Sequence, residues 1–318
     1  MNPALRPAKS HASPQVHASG DQIELVCDRM RLTAVTVGGG IRELVRDDWR
    51  VLDGYGADEV AFGAYGQALI PWPNRIADGR YEFQGQTYQL ALTEPDKHNS
   101  IHGFARWMTW KVERHDASTA LLSLVIYPRA GYPFALHLGV EYTLSPSGVT
   151  VTTTARNVGR SPLPYANGFH PYISVGSPRI DSCLLKVPAV TWLPSDERGI
   201  PMGKQPVEGS AYDFRAPRAI GPMRLDTGYG DLIRDSEGLA RVELTAADDS
   251  RSVGLWMDSS YSYVMTFTGD TLDDASRRRR SLGVEPMTAA PNAFQSGDGL
   301  RVLEPGEATT SVWGIDIR

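Results

Sequence analysis

The chain is predicted to be all-β, a large antiparallel β-sandwich, on three observations. Apolar and polar residues alternate along most of it from residue 22 onward. Its 31 Gly and 22 Pro cut 318 residues into short runs, and no segment repeats apolar residues at helical spacing for several turns between good caps. The clearest run is HLGVEYTLSPSGVTVTTTARN. Here Leu138, Val140, Tyr142 and Leu144 alternate, Ser145-Pro146-Ser147-Gly148 supplies a turn, and Val149, Val151 and Thr153 resume beyond it. RYEFQGQTYQL reads as a shorter hairpin around Gln84-Gly85-Gln86. Further strands are expected in TALLSLVIYP, CLLKVPAVTWLP, ARVELTAADDSRSVGLWMD, SYVMTFTG and TTSVWGIDI. No fixed-period repeat is visible, so a propeller is not expected.

A hydrophobic content of 41% is enough for a large core, and all-β folds of this length commonly form one domain, expected here over residues 22–318. The opening MNPALRPAKSHASPQVHASG lacks the apolar stretch of a signal peptide, and residues 1–21 read as a disordered tail. The net charge of −5 argues against a nucleic-acid partner. The basic run Arg277 to Arg280 reads as a solvated loop following Asp273 and Asp274. No apolar run approaches the roughly 18 residues that would span a bilayer, so no membrane partner is expected. Cys27 and Cys183 lie far apart and fit neither a metal site nor a disulfide framework, which points to a reducing, cytoplasmic setting.

There is no GxGxxG, P-loop, HExxH or GxSxG segment. His98 and His102 are four apart, but Asn99, Ser100 and Gly103 speak against a helix that would bring them together as metal ligands. No metal and no cofactor are expected. His102 before Gly103, His170 in YANGFHPYISV and Glu285 in SLGVEPMTAAPNAF each sit where a strand meets a turn, a common way to fix a reactive group on a rigid scaffold. Taken singly, each reads more readily as structural than as catalytic, and Asp226 in RLDTGYGDL reads as an ordinary turn residue.

In combination these segments resemble the aldose 1-epimerase (galactose mutarotase) family, from about residue 22 to the C-terminus. GQALIPWPNRIADGRYEFQGQTYQL, NSIHGFARWMTW, GFHPYI, LDTGYGDL, FTGD, EPMTAAPNAF and LEPGE occur in the family's order. The wording is nearest a bacterial branch; the best-known galactose mutarotases read closer to LEPQ or LETQ at the last acidic segment. The resemblance implies a large β-sandwich and interconversion of the α and β anomers of a free aldose such as glucose or galactose. It implies Glu285 as general base on the anomeric hydroxyl, His170 as general acid on the ring oxygen, and His102 as a hydrogen-bonding partner near both. Arg75 and Asp226 would hold sugar hydroxyls, Asn74 would shape the turn beside Arg75, and Phe267 matches an aromatic position of the family. Trp72, Trp107 and Tyr172 are further candidates for stacking on a sugar face.

Ring opening needs one proton removed from the C1 hydroxyl and one delivered to the ring oxygen, which a carboxylate and an imidazole can do together. A close Glu285–His170 pair is expected to raise the pKa of the histidine. The partner is then a small sugar, with the protein a monomer or homodimer. A hexose-6-phosphate 1-epimerase is the alternative within the enzymes, with Arg106 and Arg80 as the available cations. A non-catalytic carbohydrate-binding protein is the alternative outside them, though a pure binder has no need of a matched acid and base.

Overall fold

Alternation in the sequence becomes burial on one face of a pleat. Along Thr119–Ile126 the residues Ala120, Leu122, Leu124 and Ile126 are buried while those between them are partly exposed. The computed structural model describes residues 16–318, and every paired strand in them runs antiparallel to its neighbour. Nine strands form one sheet, in the order Lys111–His115, Thr119–Ile126, Leu136–Ser145, Gly148–Asn157, Ala308–Ile317, Ser252–Met257, Ala240–Thr245, Leu184–Lys186 and Arg218–Ala219. A second, eight-stranded sheet runs from Gln205–Pro206 through Ala189–Leu193, Asp226–Leu232, Tyr263–Phe267, Leu282–Met287 and Gly168–Phe169 to Ala68–Leu69, with Tyr172–Ile173 also paired to Leu282–Met287. A four-stranded sheet covers Gln22 to Arg50.

The two large sheets meet across one hydrophobic cluster that extends from Ile23 to Ile317. Phe169 of the second sheet packs on Trp313 of the first, ring centroids 5.1 Å apart, and Asn167 Nδ2 donates to Ser311 Oγ at 3.0 Å. The expected hairpins occur as read: Ser145 pairs with Gly148 around Pro146-Ser147, and Phe83 with Gln86 around Gln84 and Gly85, both of positive φ. Among the described residues the one α-helix is Ala293–Ser296, and no helix is long and apolar enough to cross a membrane.

Two expectations need correction. The boundary at residue 22 is too late: Ser19 is buried, its Oγ donating to the Ala57 carbonyl at 2.7 Å, and His17 Nδ1 lies 2.8 Å from Asp58 Oδ1. The part of the expected tail up to residue 15 lies outside the described residues. The run Arg277 to Arg280 is a solvated loop only in part, with Arg278 and Arg280 exposed. Arg279 is buried, its guanidinium reaching Asp181, Asp270 and the carbonyls of Gly221 and Met223. Charge density in a sequence reports nothing about partners a hundred residues away.

Trp110 anchors the segment that carries part of the cleft. Its indole is buried, donates to the Ala105 carbonyl at 3.2 Å, and lies so close to Gly39 that a Cβ there would meet the ring at 2.5 Å. Trp110→Ala should lower the unfolding free energy by about 3–5 kcal/mol, read from urea denaturation. A loss below about 1 kcal/mol would contradict its role as an anchor.

Candidate active site

The cleft is assembled by strand register. Asp226 lies opposite Phe267, Phe267 opposite Gly283, and Gly283 opposite Tyr172, so four strands set these residues in one row. Along Leu282–Met287 the pleat sends Leu282 and Val284 into the main core and turns Glu285 to the other face, into the cleft. All six residues of this strand are therefore buried. Phe169 and His170 divide in the same way, the first into the core and the second into the cleft. A Cβ on Gly283 would meet Phe267 Cβ at 3.2 Å and His170 Cε1 at 3.4 Å, so glycine lets the imidazole settle beside this strand.

Aromatic stacking fixes the plane of that imidazole. The His170 ring lies on Tyr172 at 4.7 Å, Tyr172 lies on Tyr65 at 3.9 Å, and both pairs are within 15° of parallel. The Tyr172 hydroxyl donates to the Gly63 carbonyl at 3.0 Å, which holds the stack in place.

His102 is set by a turn of two left-handed residues, its own φ being 64° and that of Gly103 65°. Alanine at 103 would place its Cβ 2.1 Å from the Ile70 carbonyl oxygen, so only glycine fits. The Asn74 N–H donates to His102 Nδ1 at 3.1 Å, and the His102 N–H donates back to the Asn74 carbonyl at 2.9 Å. Nδ1 is thus an acceptor, and the neutral ring carries its proton on Nε2. Asn74 acts through its backbone and by accepting from the Arg75 N–H at 3.0 Å through Oδ1.

Arg75 donates to both oxygens of Glu94, at 2.8 and 3.0 Å, and its Nη1 lies 3.9 Å from Asp226 Oδ2. Asn99 Nδ2 donates to the same Glu94 at 3.0 Å. Burial alone would lower the pKa of Arg75, but the hydrogen bonds to Glu94 and the charges of Asp226, Glu94 and Glu285 outweigh it and hold the guanidinium charged. Sequence reading missed Glu94. In LTEPDK it looks like any loop acid, and nothing local indicates the arginine nineteen residues away.

One cavity of about 620 Å³ gathers Glu285, His170, His102, Arg75, Asp226, Asn74 and Phe267. Tyr172, Tyr65, Arg106 and Arg277 also line it. Trp72 does not; it is buried edge-on against Phe104 and Phe294. Trp107 is half exposed and reaches the site only indirectly, beneath the Arg106 guanidinium. Arg80 is exposed and lies outside the cavity.

Glu285 Oε1 and His170 Nε2 are 3.3 Å apart, and both side chains are buried. Burial pushes the Glu285 carboxyl up to about 8, Asp226 adding to the rise and Arg75 opposing it. Burial pushes the His170 imidazole down to about 3, and the charge of Arg106 adds to the fall. The expected rise in the histidine pKa is therefore absent. Dehydration penalises the imidazolium, and a carboxyl that is itself protonated below about 8 offers it no negative partner. The His102 imidazole is held well below its usual range by burial, Arg106, His170 and Arg75.

Ligand atoms of His102, His170 and Glu285 lie within 4.8 Å of one another, a donor set that a divalent cation could use. The two guanidiniums that depress His102 oppose a cation there and suit a neutral or anionic occupant better.

The sequence model of the aldose 1-epimerase family matches residues 21–315. The chain belongs to the aldose 1-epimerase family. Its family places it among isomerases that act on small sugars. It is 32% identical to the uncharacterized protein YihR of Escherichia coli K12, over 92% of each chain. It is 31% identical to human galactose mutarotase over 176 residues, 54% of this chain and 50% of that one. In three dimensions it resembles a GalM/aldose epimerase homologue from C. elegans, with TM-score 0.85 at 17% identity over 94% of this chain and 98% of that one. The galactose 1-epimerase of Lactobacillus acidophilus has the same fold, with TM-score 0.79 at 19% identity over 93% and 94%.

The raised carboxyl has a consequence for stability. Folding moves the Glu285 pKa from an ordinary 4.5 up to about 8, so the folded chain holds a proton that the unfolded chain releases between those values. The contribution of this residue is fully favourable below about 4.5 and is lost as pH rises through about 8. Glu285→Gln should therefore raise the Tm, and by more at pH about 9 than at pH about 5. Calorimetry at the two pH values checks this; an equal shift at both would contradict a buried, proton-holding carboxyl.

Proposed function

We propose that the protein is an aldose 1-epimerase that interconverts the α and β anomers of a free aldose, with Glu285 and His170 as its acid–base pair. The assignment is carried by the 3.3 Å contact between Oε1 and Nε2 in a buried cleft. The two oxygens that must exchange protons, the C1 hydroxyl and the ring oxygen, are bonded to the same carbon, so their partners must also be neighbours. Residues 22–318, with the segment from His17 packed onto them, are read as one unit around this cleft, which agrees with its single main hydrophobic cluster.

In the forward step the Glu285 carboxylate takes the proton of the C1 hydroxyl. The C1–ring-oxygen bond breaks as the C1 carbonyl forms, and His170 delivers its proton to the departing ring oxygen. Rotation about C1–C2 presents the other face of the aldehyde. On closure His170 recovers the proton from the C5 hydroxyl, that oxygen attacks C1, and Glu285 returns its proton to the carbonyl oxygen. Atoms and charge balance, and the pair carries one proton throughout.

Burial favours that proton on Glu285 with a neutral His170, which is the protonation state belonging to the open-chain sugar. The same contact gives the proton a direct route to His170 when a cyclic sugar enters and its C1 hydroxyl donates to the carboxylate. His102, with its proton on Nε2, donates to a sugar oxygen near the reacting centre. Arg75, braced by Glu94, and Asp226 hold hydroxyls, and Phe267 offers a face to the sugar ring.

Polarimetry of freshly dissolved α-D-glucose and α-D-galactose tests the assignment. Glu285→Gln and His170→Asn should each lower kcat by about 10²–10⁴-fold with smaller changes in KM. Near-normal kcat in either variant would remove that residue from its role. The rate should also fall as pH rises through about 8, where the pair loses its single proton. A rate that held level to pH about 10 would show that this proton is not used.

A binding protein without turnover does not require an acid–base pair at contact distance. A hexose 6-phosphate as substrate is favoured by one observation, the state of Arg106.

A further inference from the structure

Three cations line the cavity, and two are neutralised by carboxylates. Arg75 is bound to Glu94, and Arg277 Nη2 lies 3.0 Å from Glu59 Oε2 with its Nε 3.6 Å from Asp274. Arg106 is different. It is as buried as Arg75, yet among the described residues no carboxylate lies within ion-pair distance of it, and its Nε has no hydrogen-bond acceptor. Burial lowers its pKa to about 10, with only Tyr172 acting the other way. A guanidinium cannot easily shed its charge, so an unpaired buried one marks a place where a binding partner should supply the acceptor.

The side chain is also held in position. It rises from the single turn Ala105–Trp107, whose Arg106 carbonyl accepts from Gln67 Nε2 at 2.9 Å. Its guanidinium carbon lies 4.3 Å from the Trp107 ring centroid, and Trp110 bonds the preceding carbonyl. A planar fork stacked on an indole is already oriented to receive two oxygens of one group.

Its location says which part of a sugar it would meet. Arg106 lines the same cavity as the two imidazoles, and its charge is felt at both His102 and His170. If His170 addresses the ring oxygen, the ring atom on the far side of that oxygen from C1 is C5, which carries the C6 substituent. We infer that Arg106 receives an anionic group at C6, a carboxylate, phosphate or sulfonate, and that the preferred substrate is an aldose bearing such a group. This rests on the aldose 1-epimerase reading and names the substrate class for the same cleft. The mouth of the cavity carries Asp58, Glu59, Asp273 and Asp274, which would repel an anion. Those side chains are exposed and screened by water and salt, whereas the Arg106 interaction forms in the low-dielectric interior, so the buried cation dominates.

The test compares glucose with its counterparts bearing a carboxylate, a phosphate or a sulfonate at C6, using NMR measurement of anomer exchange on the wild-type protein. At least one anionic sugar should exceed glucose in kcat/KM by about tenfold or more. Arg106→Gln should cut that ratio toward unity, and Arg106→Lys, which keeps the charge but not the fork, should restore part of it. The preferred anionic sugar should also raise the Tm of the wild type and do so less for Arg106→Gln. Glucose turned over as well as or better than all three anionic sugars would overturn the inference and leave the mutarotase assignment standing. An Arg106-dependent rise in Tm without turnover of any sugar would do the reverse. A preference that survives unchanged in both variants would remove Arg106 from the recognition of the anion.

Discussion

Everything in this cleft depends on keeping a carboxyl and an imidazole dry at 3.3 Å from each other. In water the two would ionise separately near their ordinary pKa values. Dehydrated, they move apart in the direction that leaves both neutral, to about 8 and about 3, and one proton belongs to the pair. That shared proton is useful only if neither group can turn away. The sheet supplies the rigidity: Leu282–Met287 is buried on both faces, so Glu285 is held from behind by Leu282 and Val284 in the main core. His170 is held by the Tyr65–Tyr172 stack on one side and by the closeness of Gly283 on another.

Positive charge is the other constraint. Arginines converge on this half of the molecule, and the fold pairs those around the cavity with carboxylates, Arg106 excepted. Arg75 takes Glu94, Arg277 takes Glu59, and Arg279 takes Asp181 and Asp270. These pairs differ from surface ion pairs because most of the arginine side chains are dehydrated, so removing a partner would strand a charge. Such pairing locks the loops from residues 94, 59 and 270 around the cavity, which joins the electrostatics of the site to its shape.

Much of the fold was legible in the sequence because its signals are local. The hairpin at Ser145 to Gly148 follows from alternation and turn residues, and so does the one at Gln84-Gly85. The candidate site was legible only in part. Glu285, His170 and His102 stand out as ionisable groups beside Pro or Gly, but residues alone could not rank them above structural readings, and the resemblance to a family supplied the ranking. What was not legible is pairing across the chain: Glu94 with Arg75, Ser19 against Ala57, and the burial of Arg279 within a run that looks solvated. The His170 pKa falls where proximity to a carboxylate predicts a rise, for a related reason. A sequence shows which charges are near, whereas the shift is set first by how much water is excluded.

Arg106 connects the two constraints. An imidazolium on His170 has to form in the same cavity as the Arg106 guanidinium, and like charges repel more strongly in a dehydrated interior than in water. That repulsion appears as part of the fall in the His170 pKa. An anionic substituent held by Arg106 would cancel it at the moment of binding, easing the proton from Glu285 to His170. Such a substrate would do two things a neutral sugar cannot: satisfy the buried cation and bring the acid into its working protonation state. Binding at the far end of the ring would then contribute to kcat as well as to affinity, because the interaction is felt at the atom that protonates the ring oxygen.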